Sequence, residues 1–132
     1  MSSHSIFTRI INRELPSYTV CEDMENIAFL DINPLRRGHI LIVPKLEVDN
    51  IFSLNEKSYN SLFFFAKRVA INMKKKITCN RIGMSVVGLD VPHAHIHLIP
   101  INSFEDMNFN KSPLKLTEEE MLNICQLLKF TA

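Results

Sequence analysis

Two short apolar blocks stand early in the chain: Ile27-Ala28-Phe29-Leu30-Asp31-Ile32, closed by Asn33-Pro34, and residues 40–43, restarted by Gly38 and stopped by Pro44. Runs of this length between turn residues predict two strands joined by a turn, with His39 at the head of the second. From Glu56 to Lys76 the spacing changes, and Tyr59, Leu62, Phe63, Ala66, Val69, Ala70 and Met73 recur at threes and fours. That is the period of a helix with one buried face. Lys74, Lys75 and Lys76 close it, where cations suit the negative end of the helix dipole. Short β-rich runs return at residues 81–87 and 94–99, which predicts two more strands around a tight connection at Gly88-Leu89-Asp90-Val91-Pro92. After a polar stretch, Thr117-Glu118-Glu119-Glu120 has the form of a capping box, followed by Met121, Ile124, Cys125 and Leu128 at helical spacing. The order of elements predicts an α+β fold, a mainly antiparallel sheet with one long central helix and a C-terminal helix, in a single domain spanning residues 1–132.

Composition narrows the classes of partner. The 132 residues carry 15 Lys and Arg against 14 Asp and Glu, so no overall field draws the protein to nucleic acid or to an anionic membrane. Cys21, Cys79 and Cys125 are odd in number and widely spaced, which indicates neither a disulfide framework nor a thiolate zinc site and points to a reducing compartment. The longest apolar run is Leu62-Phe63-Phe64-Phe65-Ala66, far below the roughly 20 residues that span a bilayer. With no signal pattern at the N-terminus, the expected location is the cytoplasm.

The candidate chemistry lies in Pro92-His93-Ala94-His95-Ile96-His97-Leu98-Ile99. Side chains alternate along a strand, so the three imidazoles share one face while Ala94, Ile96 and Leu98 enter the core. At about 3.3 Å of rise per residue, neighbouring rings would lie roughly 6–7 Å apart and the outer pair roughly 13 Å. A lone histidine in a half-buried strand is ordinarily structural, but clustered imidazoles repel one another when protonated, and three in alternation point to function. Two chemistries fit. Imidazole is a common zinc ligand, although three same-face histidines do not easily reach one tetrahedral ion. Alternatively, one neutral ring nitrogen attacks an electrophile such as phosphorus while its neighbours fix its tautomer and stabilise developing charge.

The triad, the block Asp31-Ile32-Asn33-Pro34-Leu35-Arg36-Arg37-Gly38-His39-Ile40-Leu41-Ile42-Val43-Pro44-Lys45 and the opening Ile6-Phe7-Thr8-Arg9-Ile10-Ile11-Asn12-Arg13-Glu14-Leu15-Pro16 together closely resemble the histidine triad (HIT) family, in its Hint-like branch. The resemblance implies a homodimer that binds a purine nucleotide and transfers or hydrolyses nucleotidyl groups with no cofactor and no catalytic metal. By resemblance His95 is the nucleophile that forms a nucleotidyl-histidine intermediate. His93 and His97 hold phosphate oxygens and assist the leaving group, and His39 completes the set from across the sheet. Asp31 matches the carboxylate that accepts hydrogen bonds from the ribose hydroxyls, and Ile6, Phe7, Ile10, Phe29 and Ile32 match positions that enclose the base. Ser85, Leu89 and Asp90 fall in the segment that faces the phosphate.

The sequence departs from the family at three places. Many bacterial members carry Cys-x-x-Cys near the N-terminus for a structural zinc, where this chain reads Ser5-Ile6-Phe7-Thr8. The loop before the triad is compressed to Ile82-Gly83-Met84-Ser85-Val86-Val87-Gly88, leaving Ser85 as its polar side chain. Asp90 stands where a hydroxyl residue is usual, and an anion there repels phosphate unless it turns outward or pairs with a cation. The expected activity is release of a nucleoside monophosphate from a 5'-phosphoramidate or related conjugate, of the phosphoramidase or dinucleoside polyphosphate hydrolase type. The alternatives are a nucleotide-binding protein with little turnover and a histidine-ligated metalloenzyme.

Overall fold

A computed structural model describes residues 4–132. Its elements are, in chain order, α1 (Ile6–Ile11), β1 (Thr19–Glu22), β2 (Asn26–Leu30), β3 (Ile40–Pro44), α2 (Glu56–Lys76), β4 (Arg81–Ser85), β5 (Ile96–Ile101) and α3 (Glu118–Leu128), with 3-10 turns at Ile51–Ser53 and Phe104–Met107. The five strands form one sheet in the order β1-β2-β3-β5-β4, and every pairing is antiparallel. The α+β expectation therefore holds, including both predicted helices and the Thr117/Glu120 capping box.

The continuous apolar runs of β2 and β3 have a physical reason: the sheet is covered on both faces. Ala28, Leu30, Ile40 and Ile42 point to one side, where Leu62, Phe65, Ala66, Val69 and Met73 of α2 and Met121, Cys125 and Leu128 of α3 pack on them. Ala94, Ile96 and Leu98 enter the same core, as their alternation with the histidines requires. Ile27, Phe29, Leu41 and Val43 point to the other side, where Phe7 of α1 joins them. Leu41 pairs with His97 in the β3–β5 register, and cross-strand partners share a face, so His97 lies on the α1 side of the sheet.

Strands β2 and β4 end earlier than the sequence reading has them, at Leu30 and Ser85, and three further differences concern whole elements or the start of β5. Helix α1, which the spacing did not reveal, is only six residues long and is capped by the Ser5 side chain accepting from the Thr8 amide. Strand β1 was also missed, because its four residues sit on the sheet edge and carry no alternation. Strand β5 starts at Ile96 rather than Ala94 and runs on through Pro100. The β3 pairing has ended at Leu98 by then, so the missing proline N–H costs no bond to β3.

The turn into β3 depends on Gly38. Its φ is +89°, and a Cβ built there would lie 2.6 Å from Ile77 Cδ1, so both the conformation and the space require glycine. Arg36 pairs with Asp106 at 2.6 Å and Arg37 with Glu120, tying this turn to the Phe104–Met107 turn and to α3. His39 follows immediately and is held in place from both directions.

Candidate active site

The four candidate histidines are all buried, between 0% and 4% exposed, yet each is held differently. His95 Nδ1 lies 2.7 Å from the His93 carbonyl oxygen. A carbonyl only accepts, so Nδ1 carries the proton and Nε2 presents a bare lone pair. That Nε2 is the buried side-chain nitrogen or oxygen without a hydrogen-bond partner among the described residues. An unpaired buried polar atom costs stability, so its retention in a fold calls for a role such as catalysis or the binding of a partner.

A second directed chain runs through His39. The Leu35 amide donates to His39 Nδ1 at 3.0 Å, which forces the His39 proton onto Nε2. His39 Nε2 therefore donates to His97 Nδ1 at 2.9 Å. His97 is left with its proton on Nε2, a donor beside the His95 ring, whose centroid is 5.0 Å away. Burial, followed by the charges of His97 and His95, pushes His39 down to about 3. Burial and His95 push His97 down to about 4. Both rings are neutral at physiological pH, which this chain of donors and acceptors requires.

His93 departs from its expected role. Its Nε2 lies 2.7 Å from the Pro44 carbonyl oxygen and its Nδ1 lies 2.6 Å from Ser5 Oγ. Both ring nitrogens are thus engaged by the protein and the side chain has no donor left for a phosphate oxygen. The reason is local: β5 begins only at Ile96, and the chain before it bends, with the His93 amide donating to the Val91 carbonyl. Consequently the triad is not a row of three equivalent imidazoles, and His95 and His97 stand closer than ideal strand geometry would place them. Of the Ser5-Ile6-Phe7-Thr8 segment, the Ser5 hydroxyl partners His93, while the Thr8 hydroxyl lies 3.4 Å from the same ring nitrogen and donates to Glu47.

Asp31, His39 and His97 also bring three potential metal-ligating atoms within 4.8 Å of one another. Their hydrogen bonding does not suit a metal. His39 Nε2 must hold its proton while the Leu35 amide occupies Nδ1, and a protonated nitrogen has no lone pair to give.

Next to the histidines, a cleft of about 310 Å³ is lined by Ile6, Phe7, Ile10, Phe29, Asp31 and Ile32, with Asp90 at its margin. All five apolar residues expected to enclose a base therefore meet in one concave, largely apolar surface. Leu15, Pro16, Leu41 and Val91 complete it; they were not picked out because their spacing reads as ordinary core or loop. The cleft's charged side chains are Asp31 and Asp90, both acidic. Asp31 Oδ1 accepts from the Asn33 amide at 2.8 Å, leaving Oδ2 at the cleft, 3.5 Å from His39 Nε2. Burial, with a smaller contribution from the Asp90 charge, raises the Asp31 carboxyl above its ordinary value.

The pre-triad segment divides. Ser85 stands opposite His97 in the β4–β5 register, whereas Leu89 is 91% exposed and does not line the cleft. Asp90 neither turns away nor meets a lysine or arginine: its Oδ1 sits 3.4 Å from His95 Nε2. Two further contacts carried no sequence signal. Phe109, a lone aromatic in a polar stretch, packs edge-on against His97 with centroids 4.8 Å apart, so the tail after β5 does reach the site. Glu47, in a loop without periodicity, accepts from the Ser5 amide at 2.8 Å and from the Thr8 hydroxyl at 2.5 Å.

Comparison with known proteins agrees with the geometry. The family model described as the HIT domain matches residues 12–104. An uncharacterized HIT-like protein from Borreliella burgdorferi is 36% identical over 102 residues, covering 72% of this chain and 73% of its own length. The adenosine 5'-monophosphoramidase of Saccharomyces cerevisiae is 36% identical over 97 residues, covering 72% of this chain and 61% of its own length. Among solved structures, a Hit-like protein from Bartonella henselae superposes with a TM-score of 0.84 at 24% identity over 97% of this chain and 96% of its own. A histidine triad nucleotide-binding protein from Sulfolobus tokodaii superposes with a TM-score of 0.79 at 26% identity, over 93% and 88%. With the family model matched over residues 12–104 and a relative 36% identical over 72% of its length, the chain belongs to the histidine triad (HIT) family.

Proposed function

We propose that the protein hydrolyses a nucleoside 5'-phosphoramidate, or a related nucleotide conjugate, to the nucleoside 5'-monophosphate through a covalent nucleotidyl intermediate on His95. The observation that carries this reading is the bare, buried His95 Nε2, its tautomer fixed by the His93 carbonyl. A neutral imidazole nitrogen with its other nitrogen hydrogen-bonded is a competent nucleophile at neutral pH. It attacks the α-phosphorus while His97 Nε2–H donates a hydrogen bond to the leaving nitrogen, the phosphorus–nitrogen bond breaks, and the amine takes its proton from solvent water. Water then attacks phosphorus, the bond to His95 breaks to regenerate its bare Nε2, and the proton released by water returns to solvent. Atoms balance as conjugate plus water giving monophosphate plus amine.

The substrate fits the cleft by its parts. Asp31 offers a carboxylate oxygen to the ribose hydroxyls, and Phe7, Phe29 and the isoleucines give a flat-ring surface for a purine. The named activity of the yeast relative, an adenosine 5'-monophosphoramidase, supports the same chemistry. We further propose a cytoplasmic homodimer. Strand β4 ends the sheet, and Met84, Val86 and Val87 on and beyond it are 39–46% exposed, a surface suited to a second copy. The three cysteines are free, as a reducing compartment keeps them.

One observation favours a second reading, a nucleotide-binding protein with little turnover: the Asp90 carboxylate in front of His95 Nε2 opposes an incoming phosphoryl anion. The deciding experiment is AMP release from adenosine 5'-phosphoramidate by the wild type and by His95→Ala, both in excess EDTA. Turnover by the wild type alone supports the hydrolase. Tight AMP binding without turnover by either supports the binding protein.

A further inference from the structure

Glu47 lies outside the cleft and near none of the reacting atoms, yet a continuous series of hydrogen bonds connects it to the nucleophile. Its Oε1 accepts from the Ser5 amide at 2.8 Å and the Thr8 hydroxyl at 2.5 Å. The Thr8 proton is thereby committed to the carboxylate. The Thr8 amide donates to Ser5 Oγ at 3.1 Å, and the Ser5 hydroxyl proton goes to His93 Nδ1 at 2.6 Å. This agrees with His93 Nε2 donating to the Pro44 carbonyl, since a neutral imidazole has one donor and one acceptor. With both ring nitrogens fastened, the His93 residue is fixed, and its carbonyl holds the His95 Nδ1 proton.

The directions of all six bonds follow from the chemistry of the end groups. A carboxylate and two carbonyls only accept and a backbone amide only donates, so no hydroxyl or ring has a free choice. The same carboxylate also anchors the first turn of α1, which carries Phe7. The Phe7 ring packs edge-on against His93 and His95, with centroids 5.8 and 5.0 Å away. The hydrogen bonds from Thr8 and Ser5 hold the Glu47 carboxyl below its usual range, so it is ionised at neutral pH.

We propose that Glu47 is a positioning residue for catalysis. By accepting the Ser5 amide and Thr8 hydroxyl protons it holds the start of α1 on the loop after β3, so that Ser5 fastens His93 in the turn before β5 and fixes the carbonyl that keeps His95 in its Nδ1-protonated form. This inference rests on His95 being the nucleophile. It adds a requirement that the histidine motif does not contain, met by a residue between β3 and α2.

Glu47→Ala removes the oxygen that accepts both hydrogen bonds, whereas Glu47→Gln keeps a carbonyl oxygen in nearly the same place and loses only the charge. The experiment measures kcat and KM for adenosine 5'-phosphoramidate in both variants, at a temperature well below each variant's Tm. It also records two-bond imidazole ¹H–¹⁵N spectra, which report the His95 tautomer with no substrate present. The expected result is a kcat lowered about tenfold or more in Glu47→Ala with KM within about threefold, together with loss of the single Nδ1–H form of His95. Glu47→Gln should restore both the rate and the tautomer to near wild type. An unchanged His95 tautomer in Glu47→Ala, or a Gln variant as impaired as the Ala variant, would overturn the proposal. If Glu47→Ala does not fold, Thr8→Val removes one of the two donors and is read against Glu47→Gln in the same way. Absence of wild-type turnover would count against His95 chemistry itself, while the spectra would still decide whether Glu47 governs the ring.

Discussion

The His93 carbonyl oxygen and His95 Nδ1 are 2.7 Å apart, and this one backbone contact separates the tasks of two residues that look alike in sequence. His93 contributes its carbonyl and spends its ring on Ser5 and Pro44. His95 is thereby left with an unprotonated Nε2. His97, aligned through His39, has the opposite polarity and presents a proton. A bare nitrogen on one ring and an N–H on the next suit nucleophilic attack by the first and hydrogen bonding to the phosphate or leaving group by the second.

Stability should fall as the solution is made acidic from near neutrality. His39 and His97 have folded-state values of about 3 and about 4, below the ordinary 6.5. Between 6.5 and those values the unfolded chain binds protons that the folded chain refuses, so their contribution is complete above pH 6.5 and is lost as pH drops toward 3. The slope is at most about 1.4 kcal/mol per pH unit for each ring. Urea denaturation at pH 8, 6.5 and 5 should give a similar midpoint at the first two and a lower one at pH 5. A midpoint that rises at pH 5 would contradict the buried neutral pair.

Asp31→Asn should weaken recognition of the sugar without removing the nucleophile. The Asn33 amide can still be satisfied by the amide oxygen, but the second acceptor oxygen of the carboxylate is gone. Hydrogen bonds to a charged group contribute about 1.5–3 kcal/mol, so kcat/KM for the ribonucleotide should drop about tenfold or more. The wild-type preference for ribose over 2'-deoxyribose should shrink with it. Kinetics on the two sugars check this, and an unchanged preference would remove Asp31 from the ribose site.

Asp90→Asn should tighten binding of AMP. The carboxylate oxygen sits 3.4 Å from His95 Nε2, in the space a phosphate must enter, and it is largely exposed and so partly screened by water. A gain of about threefold to tenfold is expected at low salt, shrinking as ionic strength rises. Titration calorimetry at two salt concentrations is sufficient, and weaker binding by the variant would mean that Asp90 assists the phosphate.

Gly38→Ala should destabilise the fold by about 2 kcal/mol or more, because the added Cβ meets Ile77 Cδ1 at 2.6 Å in a left-handed conformation. Activity should fall with it even below the melting transition, since His39 is the next residue and its ring aligns His97. A variant of full stability would show that the turn has another accessible shape.

Much of this was legible in the sequence where pattern and physics coincide. The α2 period, the Thr117 capping box and the apolar partners of the triad gave the elements their faces, and the histidine alternation marked the segment that the fold buries beside the cleft. What stayed hidden depends on contacts between distant segments. Glu47 and Ser5 meet His93 only after folding, and no local spacing signals them. Helix α1 is too short for a period to emerge. The assumption of an ideal strand through His93 failed because the backbone bends before Ile96, which turns that ring into the protein and leaves its carbonyl to act on the neighbour.

The central claim is that His95 Nε2 forms a bond to the α-phosphorus. It is tested most directly by rapid mixing of the wild type with adenosine 5'-phosphoramidate and quenching in alkali, which preserves the acid-labile phosphorus–nitrogen bond, followed by mass spectrometry of the peptide that contains residues 93–97. The account predicts an adenylyl group on His95, formed and lost at rates compatible with turnover and absent in His95→Ala. Turnover with the adduct on another residue, or an equally fast reaction in His95→Ala, would contradict it.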